Sequence, residues 1–324
     1  MTGFIRKYLV MGKSNTLIKS LFIAFLCLGV FLGTGLGAEP GLFIDAGNST
    51  GGWKKGTVTQ REVAFTDKPN ISSEIKLYVS HRGKYQLIAY VHHNWRKSFP
   101  CIYVEAVDSA GKLHRGYHKI ENIWYLGPED KGRWFFVSLS GNPYWDLPEG
   151  ALRLKFWAEA EDNPWSELSV PMEDKLSIAY FFLLPVVDAD SGPFLPWLLN
   201  IESGTGNWQA CEYGSEYATD FIRAVNKNAS FFINVNIPAT AGYSAWLSVL
   251  SKGEGTLEMR IKNGSREQKS VIGLKAAKTW NLFHAGPFKL NKGPCSIYFK
   301  NLDQNELMLD FFLLTPELSV PVNP

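Results

Sequence analysis

Three groups of side chains in this sequence have types and spacings that could do chemistry. Glu159, Glu161 and Asp162 cluster beside Trp165, and a positioned pair of carboxylates is what glycoside hydrolysis requires. Acids this close in one polar stretch are expected to be solvated neighbours rather than an opposed pair. His81, His92, His93, His114 and His118 all fall in the first half of the chain. They show neither HxH nor HExxH spacing, so a polar loop is expected there rather than a metal centre. The third group is aromatic. Trp53, Trp134, Trp208 and Trp280 stand in turn-rich stretches, where an indole can stack on the axial C–H face of a pyranose. These four are the candidate ligand-binding residues, with a packing role as the alternative. No GxSxG, no phosphate-binding loop and no defensible Ser-His-Asp order is present. No catalytic residue is therefore expected, and the chain is read as a non-enzyme.

The elements that must position these side chains come from a chain of 324 residues, 45% hydrophobic and 14% aromatic. Charged residues make up 20%, which excludes disorder over most of the length. Basic and acidic residues nearly balance, 33 against 31, and no basic run is present, so nucleic acid is excluded as the expected partner. With 29 Gly and 17 Pro, many turns are expected.

Arg6, Lys7, Lys13 and Lys19 precede an apolar stretch from Leu21 to Leu32, followed by Gly33, Gly35, Gly37 and Ala38. A basic stretch, an apolar stretch and small residues in this order describe an export signal, cleaved after Ala38, with Met11 as an alternative start. The apolar run is shorter than the roughly 18 residues of a membrane span. An uncleaved anchor is the other possibility; the mature chain carries no expected span. A secreted or extracytoplasmic location follows. Three cysteines remain, Cys101, Cys211 and Cys295; Cys211 and Cys295 either pair or stay free.

An internal repeat organises the rest. Ile44-Asp45-Ala46-Gly47 returns as Ile201-Glu202-Ser203-Gly204, each followed by a Trp, Trp53 and Trp208. Gly83-Lys84-Tyr85 is echoed by Gly242-Tyr243, Trp134 by Trp280, and Leu147 to Gly150 by Leu290 to Gly293. Phe181-Phe182-Leu183-Leu184 reappears as Phe311-Phe312-Leu313-Leu314. The first copy carries an insertion, mostly between His114 and Gly150 and before Leu176. Two long copies make a tandem of whole domains rather than a solenoid. The expected boundaries are 1–38 for the signal, 39–186 for the first domain, 187–196 for a linker, 197–318 for the second domain and 319–324 for a tail. Within each copy apolar residues alternate with polar ones: Ile75, Leu77 and Val79; Leu152, Leu154 and Phe156; Ile233, Val235 and Ile237. Period two bounded by Gly, Pro and Asn predicts half-buried antiparallel strands. The fold class is all-β, two tandem antiparallel β-sandwich domains.

The second copy resembles the carbohydrate-binding modules of families 6 and 35, jelly rolls of the galactose-binding-like group. The resemblance runs from Asn200 to Pro316, on Ile201-Glu202, Phe232 to Pro238, Ala241-Gly242-Tyr243, Leu257 to Gly264, Lys278-Thr279-Trp280, Leu290 to Phe299 and Leu309-Asp310-Phe311-Phe312-Leu313. It implies a structural Ca2+ held by the early acid and the late Asp, here Glu202 and Asp310; oxygen ligands are what calcium requires. It also implies a sugar site in loops at one end of the sandwich, where Trp280 matches the loop aromatic, Trp134 matches it in the first copy, and Trp208 and Trp53 supply the second aromatic. Met308 and Ile178 stand where the family has an Asn, and Tyr180 stands in the first copy where Asp310 stands in the second. The expected function is an exported, non-catalytic protein that binds a polysaccharide or other glycan through two lectin-like modules. The alternative is a structural or protein-interaction module of a secreted or envelope assembly, with a protein partner and no sugar site. Trp53, Trp95, Trp124, Trp134, Trp145, Trp157 and Trp165 all fall in the first copy, so a surface peculiar to this protein is expected there.

Overall fold

The computed structural model describes residues 42–93, 98–120, 132–140, 144–162, 176–186, 197–198, 204–211 and 219–317; for 42, 98–100, 160–162 and 197–198 it describes the backbone alone. The expected signal, linker and tail lie outside these residues, as do Glu202, Trp95, Trp124 and Trp165. Residues Glu39–Pro324 form one compact unit.

Two antiparallel sandwiches make up the unit, as the period-two pattern requires. The first contains β1 (Leu42–Asp45), β2 (Thr50–Gly51), β3 (Lys54–Val58), β4 (Arg61–Thr66), β5 (Ser72–Val79), β6 (Gly83–His93), β7 (Ser98–Val107), β8 (Leu113–Lys119), β9 (Arg133–Ser138), β10 (Trp145–Leu147), β11 (Gly150–Asp162) and β12 (Leu176–Pro185). The second contains β13 (Trp197–Leu198), β14 (Thr205–Gly206), β15 (Gln209–Cys211), β16 (Phe221–Ala224), β17 (Ser230–Ile237), β18 (Ala241–Ser251), β19 (Gly255–Asn263), β20 (Arg266–Leu274), β21 (Asn281–Leu290), β22 (Gly293–Asn301) and β23 (Leu307–Pro316). In the first sandwich one sheet runs β10-β6-β12-β4-β3, with β1 added on β12 and β9 on β6, and the other runs β2-β5-β11-β7-β8. The second repeats this plan as β15-β16-β23-β18-β21, with β13 on β23, and as β14-β17-β22-β19-β20.

Each sandwich has its own core. Leu87, Val104, Leu154, Phe156, Phe181 and Leu183 fill the first; Leu247, Met259, Ile297, Phe299, Phe312 and Leu314 fill the second. A third apolar layer lies between the sandwiches. Val63, Ile88, Tyr90, Trp134, Tyr180, Phe182 and Leu184 of the first pack against Phe311, Leu313, Trp246 and Leu282 of the second. The order of layers is therefore outer sheet, joint sheet, joint sheet, outer sheet. This explains why β12 and β23 are buried along their whole length: their alternate side chains enter two different cores. Full burial of one Phe or Leu contributes about 1.5–3 kcal/mol, so the joint is a folding element and not a loose linkage.

The two copies match residue for residue where the registers are compared. Tyr85 and Tyr243 each donate a hydroxyl hydrogen bond to the carbonyl four residues earlier, His81 at 2.7 Å and Ala239 at 2.8 Å. The repeated Phe-Phe-Leu-Leu is out of step by one residue. Ile178 and Tyr180 face Val91 and Tyr90, and Leu309 and Phe311 face Val249 and Ser248. Ala179 is therefore the counterpart of Asp310, and Tyr180 the counterpart of Phe311, which corrects the pairing of Tyr180 with Asp310. A bulge in each joint sheet turns two successive residues toward the joint, Ala179 and Tyr180 in one copy, Asp310 and Phe311 in the other.

Candidate functional site

Trp134 and Trp280 occupy equivalent positions. Val91 faces Phe135, Val249 faces Asn281, and each Trp immediately precedes that partner. Neither is an open platform, however: both are buried, at 7% and 3% exposure. They meet at the joint around Arg61, which is wholly buried. The Arg61 guanidinium carbon lies 4.5 Å from the Trp280 ring, 5.3 Å from Trp134 and 5.3 Å from Tyr90, close enough for desolvated cation–π attraction.

Arg61 is delivered by a tight hairpin. Val58 pairs with Arg61, which leaves Thr59 and Gln60 as a two-residue turn with φ of 44° and 64°. Such turns need two left-handed residues and favour Asn-Gly; here two side-chained residues hold that backbone. The joint secures it. Trp134 Nε1 donates to Thr59 Oγ1 at 2.6 Å, and the Trp280 amide donates to the Gln60 carbonyl at 2.9 Å.

Arg61 reaches Asp310 of the second sandwich at 2.5 Å and donates to Ser248 Oγ at 2.9 Å. Tyr90 donates to the same Asp310 oxygen at 2.9 Å, and Thr219 donates to the other at 2.6 Å. Burial pushes the Asp310 carboxyl up from its ordinary value, against the pull of Arg61 and the surrounding hydroxyls. Burial and the Asp310 charge push the Tyr90 hydroxyl well above its ordinary value, which keeps it a donor. This corrects the reading of Asp310 as a calcium ligand: both of its oxygens are engaged by protein donors, and a guanidinium stands where a cation would. A second positive charge beside Arg61 would be repelled, so Asp310 does not fit a Ca2+ site. Glu202, its expected partner, lies outside the described residues. Among the described residues no group of three or more His, Cys, Asp or Glu could hold a metal ion.

Trp53 and Trp208 are also equivalent and also buried, at 5% and 7%. Each follows a glycine with positive φ, Gly51 at 134° and Gly206 at 151°. A side chain at Gly51 would put its Cβ 2.6 Å from the Ser72 carbonyl oxygen, and Gly206 is as close to the backbone of Ser230. This close approach turns the following Trp under the sheet. Trp53 donates from Nε1 to the Ile71 carbonyl at 2.7 Å and meets Phe156 edge-on at 5.0 Å; Trp208 packs against Phe231. Both are core residues, so the expectation that these four Trp form ligand platforms is corrected throughout. Among the described residues Cys101, Cys211 and Cys295 form no disulfide; Cys101 and Cys295 are buried and Cys211 half-buried. His92 and His93 are buried at the end of β6; His93 meets Phe135 edge-on at 5.4 Å, and burial lowers its pKa to about 4. His114 instead bonds Asp108 at 2.8 Å in a turn.

The open aromatic surface lies elsewhere, on the outer sheet of the first sandwich. Trp157 of β11 faces Tyr103 of β7, which faces Tyr117 of β8. Their rings form one row across three strands, 5.5 and 5.6 Å between centroids and within 12° and 18° of parallel. Tyr117, on the edge strand, is 62% exposed. Polar groups fix and flank the row. Trp157 Nε1 donates to Glu159 at 2.8 Å, Lys155 Nζ lies 5.5 Å from the Trp157 ring, and Arg115 pairs with Glu105 at 2.9 Å. Glu159 thus holds the indole rather than opposing a second acid; the side chains of Glu161 and Asp162 lie outside the described residues. Of this row, Trp157 was visible as one more aromatic in the first copy; Tyr103 and Tyr117 became its neighbours only through strand register.

No protein-family model matches the chain, and no curated protein matches it. Among solved structures the chain is similar to the tandem CBM22-1–CBM22-2 domain of Paenibacillus barcinonensis Xyn10C, with 10% identity, a TM-score of 0.30, and coverage of 87% of this chain and 98% of that one. It is also similar to the carbohydrate-binding module CBM6cm-2 of Cellvibrio mixtus lichenase 5A in complex with cellotriose, at 14% identity and TM-score 0.30, covering 36% of this chain and 92% of that one. A third is TmCBM61 in complex with β-1,4-galactotriose, at 12% identity and TM-score 0.28, covering 35% and 87%.

Proposed function

We propose that this protein is an exported, non-catalytic carbohydrate-binding protein that takes a saccharide chain on the row Trp157–Tyr103–Tyr117. One observation carries this reading: three near-parallel rings form an offset stack across an outer sheet, half-buried at Trp157 and Tyr103 and ending on the exposed Tyr117, with charged and hydrogen-bonding side chains beside them. The exposed Tyr117 end of the stack would take up the C–H face of a pyranose ring, the ring edges would line the chain's path, and flanking donors and acceptors would fix the hydroxyls. The nearby carboxylates are already committed, Glu159 to Trp157 and Glu105 to Arg115, which supports a binding role over hydrolysis. Export rests on the basic and apolar pattern of the N-terminus. Among the described residues no helix is long and apolar enough to cross a membrane.

The test is isothermal titration with soluble β-1,4-linked glucan, galactan and xylan. Trp157→Ala and Tyr103→Ala should each weaken binding about tenfold or more, the scale of one lost stacking contact. Unchanged affinity in both variants, with the fold intact, would reject this site.

A further inference from the structure

The outer sheet of the second sandwich carries an aromatic patch of its own. Phe232 of β17 faces Tyr298 of β22, with centroids 5.6 Å apart and rings 29° from parallel. Tyr298 faces Arg260 of β19, whose guanidinium lies 5.9 Å from the ring. Ser296 donates to Asn234 at 2.6 Å one step further along the same two strands. Glu258 is ion-paired with both Arg260 and Lys269, so the charges at the centre of this face are balanced. The patch is not a copy of the first. The registers place Glu74, Lys155 and Glu105 of the first sandwich at the positions of Phe232, Tyr298 and Arg260. Each outer sheet has therefore acquired its rings at different positions of the shared fold.

The layer order fixes how the two patches are presented. The joint sheets bury their facing sides against each other, so the two outer sheets look away from one another. The Arg61–Asp310 pair and the rings around it hold the two joint sheets together. One saccharide chain cannot lie along both faces. We infer that Phe232 and Tyr298, with Arg260, form a second saccharide site, and that the protein bridges two separate polysaccharide chains instead of gripping one chain twice. This inference rests on the carbohydrate-binding reading of the first face.

The experiment uses the full chain with the same soluble β-1,4-linked glucan, galactan and xylan, and reads stoichiometry by titration with short oligosaccharides and cross-linking by solution viscosity. Wild type should bind two oligosaccharides per chain and raise the viscosity of the polymer it binds. Phe232→Ala/Tyr298→Ala and Trp157→Ala/Tyr103→Ala should each bind one oligosaccharide and lose the viscosity rise, with thermal unfolding confirming that the open-face variants fold. A wild-type stoichiometry of one, or cross-linking that survives Phe232→Ala/Tyr298→Ala, would overturn the second site and leave the first face standing. Two bound oligosaccharides without a viscosity rise would overturn bridging. No binding of any of the three polymers by wild type would overturn the carbohydrate reading itself, and this inference with it.

Discussion

Arg61 and Asp310, 249 residues apart in the chain, form an ion pair in which neither side chain reaches solvent beyond 2%. The pair joins two sandwiches that the sequence presents as tandem repeats. Ion pairs buried this deeply gain little over a well-packed apolar pair, but removing one partner leaves a bare charge in the interior.

Arg61→Met is therefore expected to destabilise the fold by about 3–5 kcal/mol. Arg61→Met/Asp310→Leu should recover part of that loss, because no charge is left unpaired. Urea unfolding of both variants checks this. A double variant weaker than the single by a further full increment would mean that the pair is not the source of the effect.

Stability and binding should separate by Trp. Trp134→Ala and Trp280→Ala remove buried indoles packed around Arg61 and should each cost about 3–5 kcal/mol. Saccharide affinity of the folded fraction should not change. Trp157→Ala should do the reverse, losing affinity at a smaller stability cost than either buried Trp, because Trp157 is only half-buried. Thermal unfolding and titration of the three variants decide the matter.

His93 sets a pH dependence of stability. Its pKa falls to about 4 in the folded chain because burial disfavours the charged ring, against about 6.5 when unfolded. The unfolded chain thus binds the extra proton between those values, and stability decreases as pH falls from about 6.5 toward 4. The loss is roughly 3 kcal/mol when fully developed. His93→Phe, which keeps a ring against Phe135, should flatten that part of the curve of unfolding free energy against pH.

Asp310 should be indifferent to calcium. Its oxygens are engaged by Arg61, Tyr90 and Thr219, so unfolding temperatures in EDTA and in millimolar Ca2+ should coincide. A calcium-dependent rise that Asp310→Asn abolishes would contradict the assignment.

Much of the fold was legible in residue alternation. Ile75, Leu77 and Val79 announce a strand with one buried face, and Trp134 matches Trp280 in sequence as it does in register. What those Trp do was not legible. An indole in a turn-rich stretch reads as exposed until something is known to cover it; here Tyr90, Thr59 and Arg61 cover Trp134, and Phe221 together with Arg61 of the other copy covers Trp280. The same holds for Phe182 and Phe311, whose second burying face belongs to a sheet far off in sequence. The one-residue slip between the two Phe-Phe-Leu-Leu runs escaped because a bulge changes which side of a strand a residue faces without changing the residues. Tyr103 and Tyr117 were invisible as partners of Trp157 because their adjacency depends on the pairing of β7 with both β8 and β11.

The joint also decides which molecules can pair through it. Its counterpart positions are Arg61 and Thr219, Tyr90 and Ser248, Ala179 and Asp310. Two first copies brought face to face would bury two guanidiniums and no carboxylate. Two second copies would bury two carboxylates and no guanidinium. Either match strands charges at several kcal/mol each, so only unlike copies fit. A chain whose own copies have closed on each other keeps neither half of that match available. In a crowd of identical molecules this face offers nothing to a neighbour.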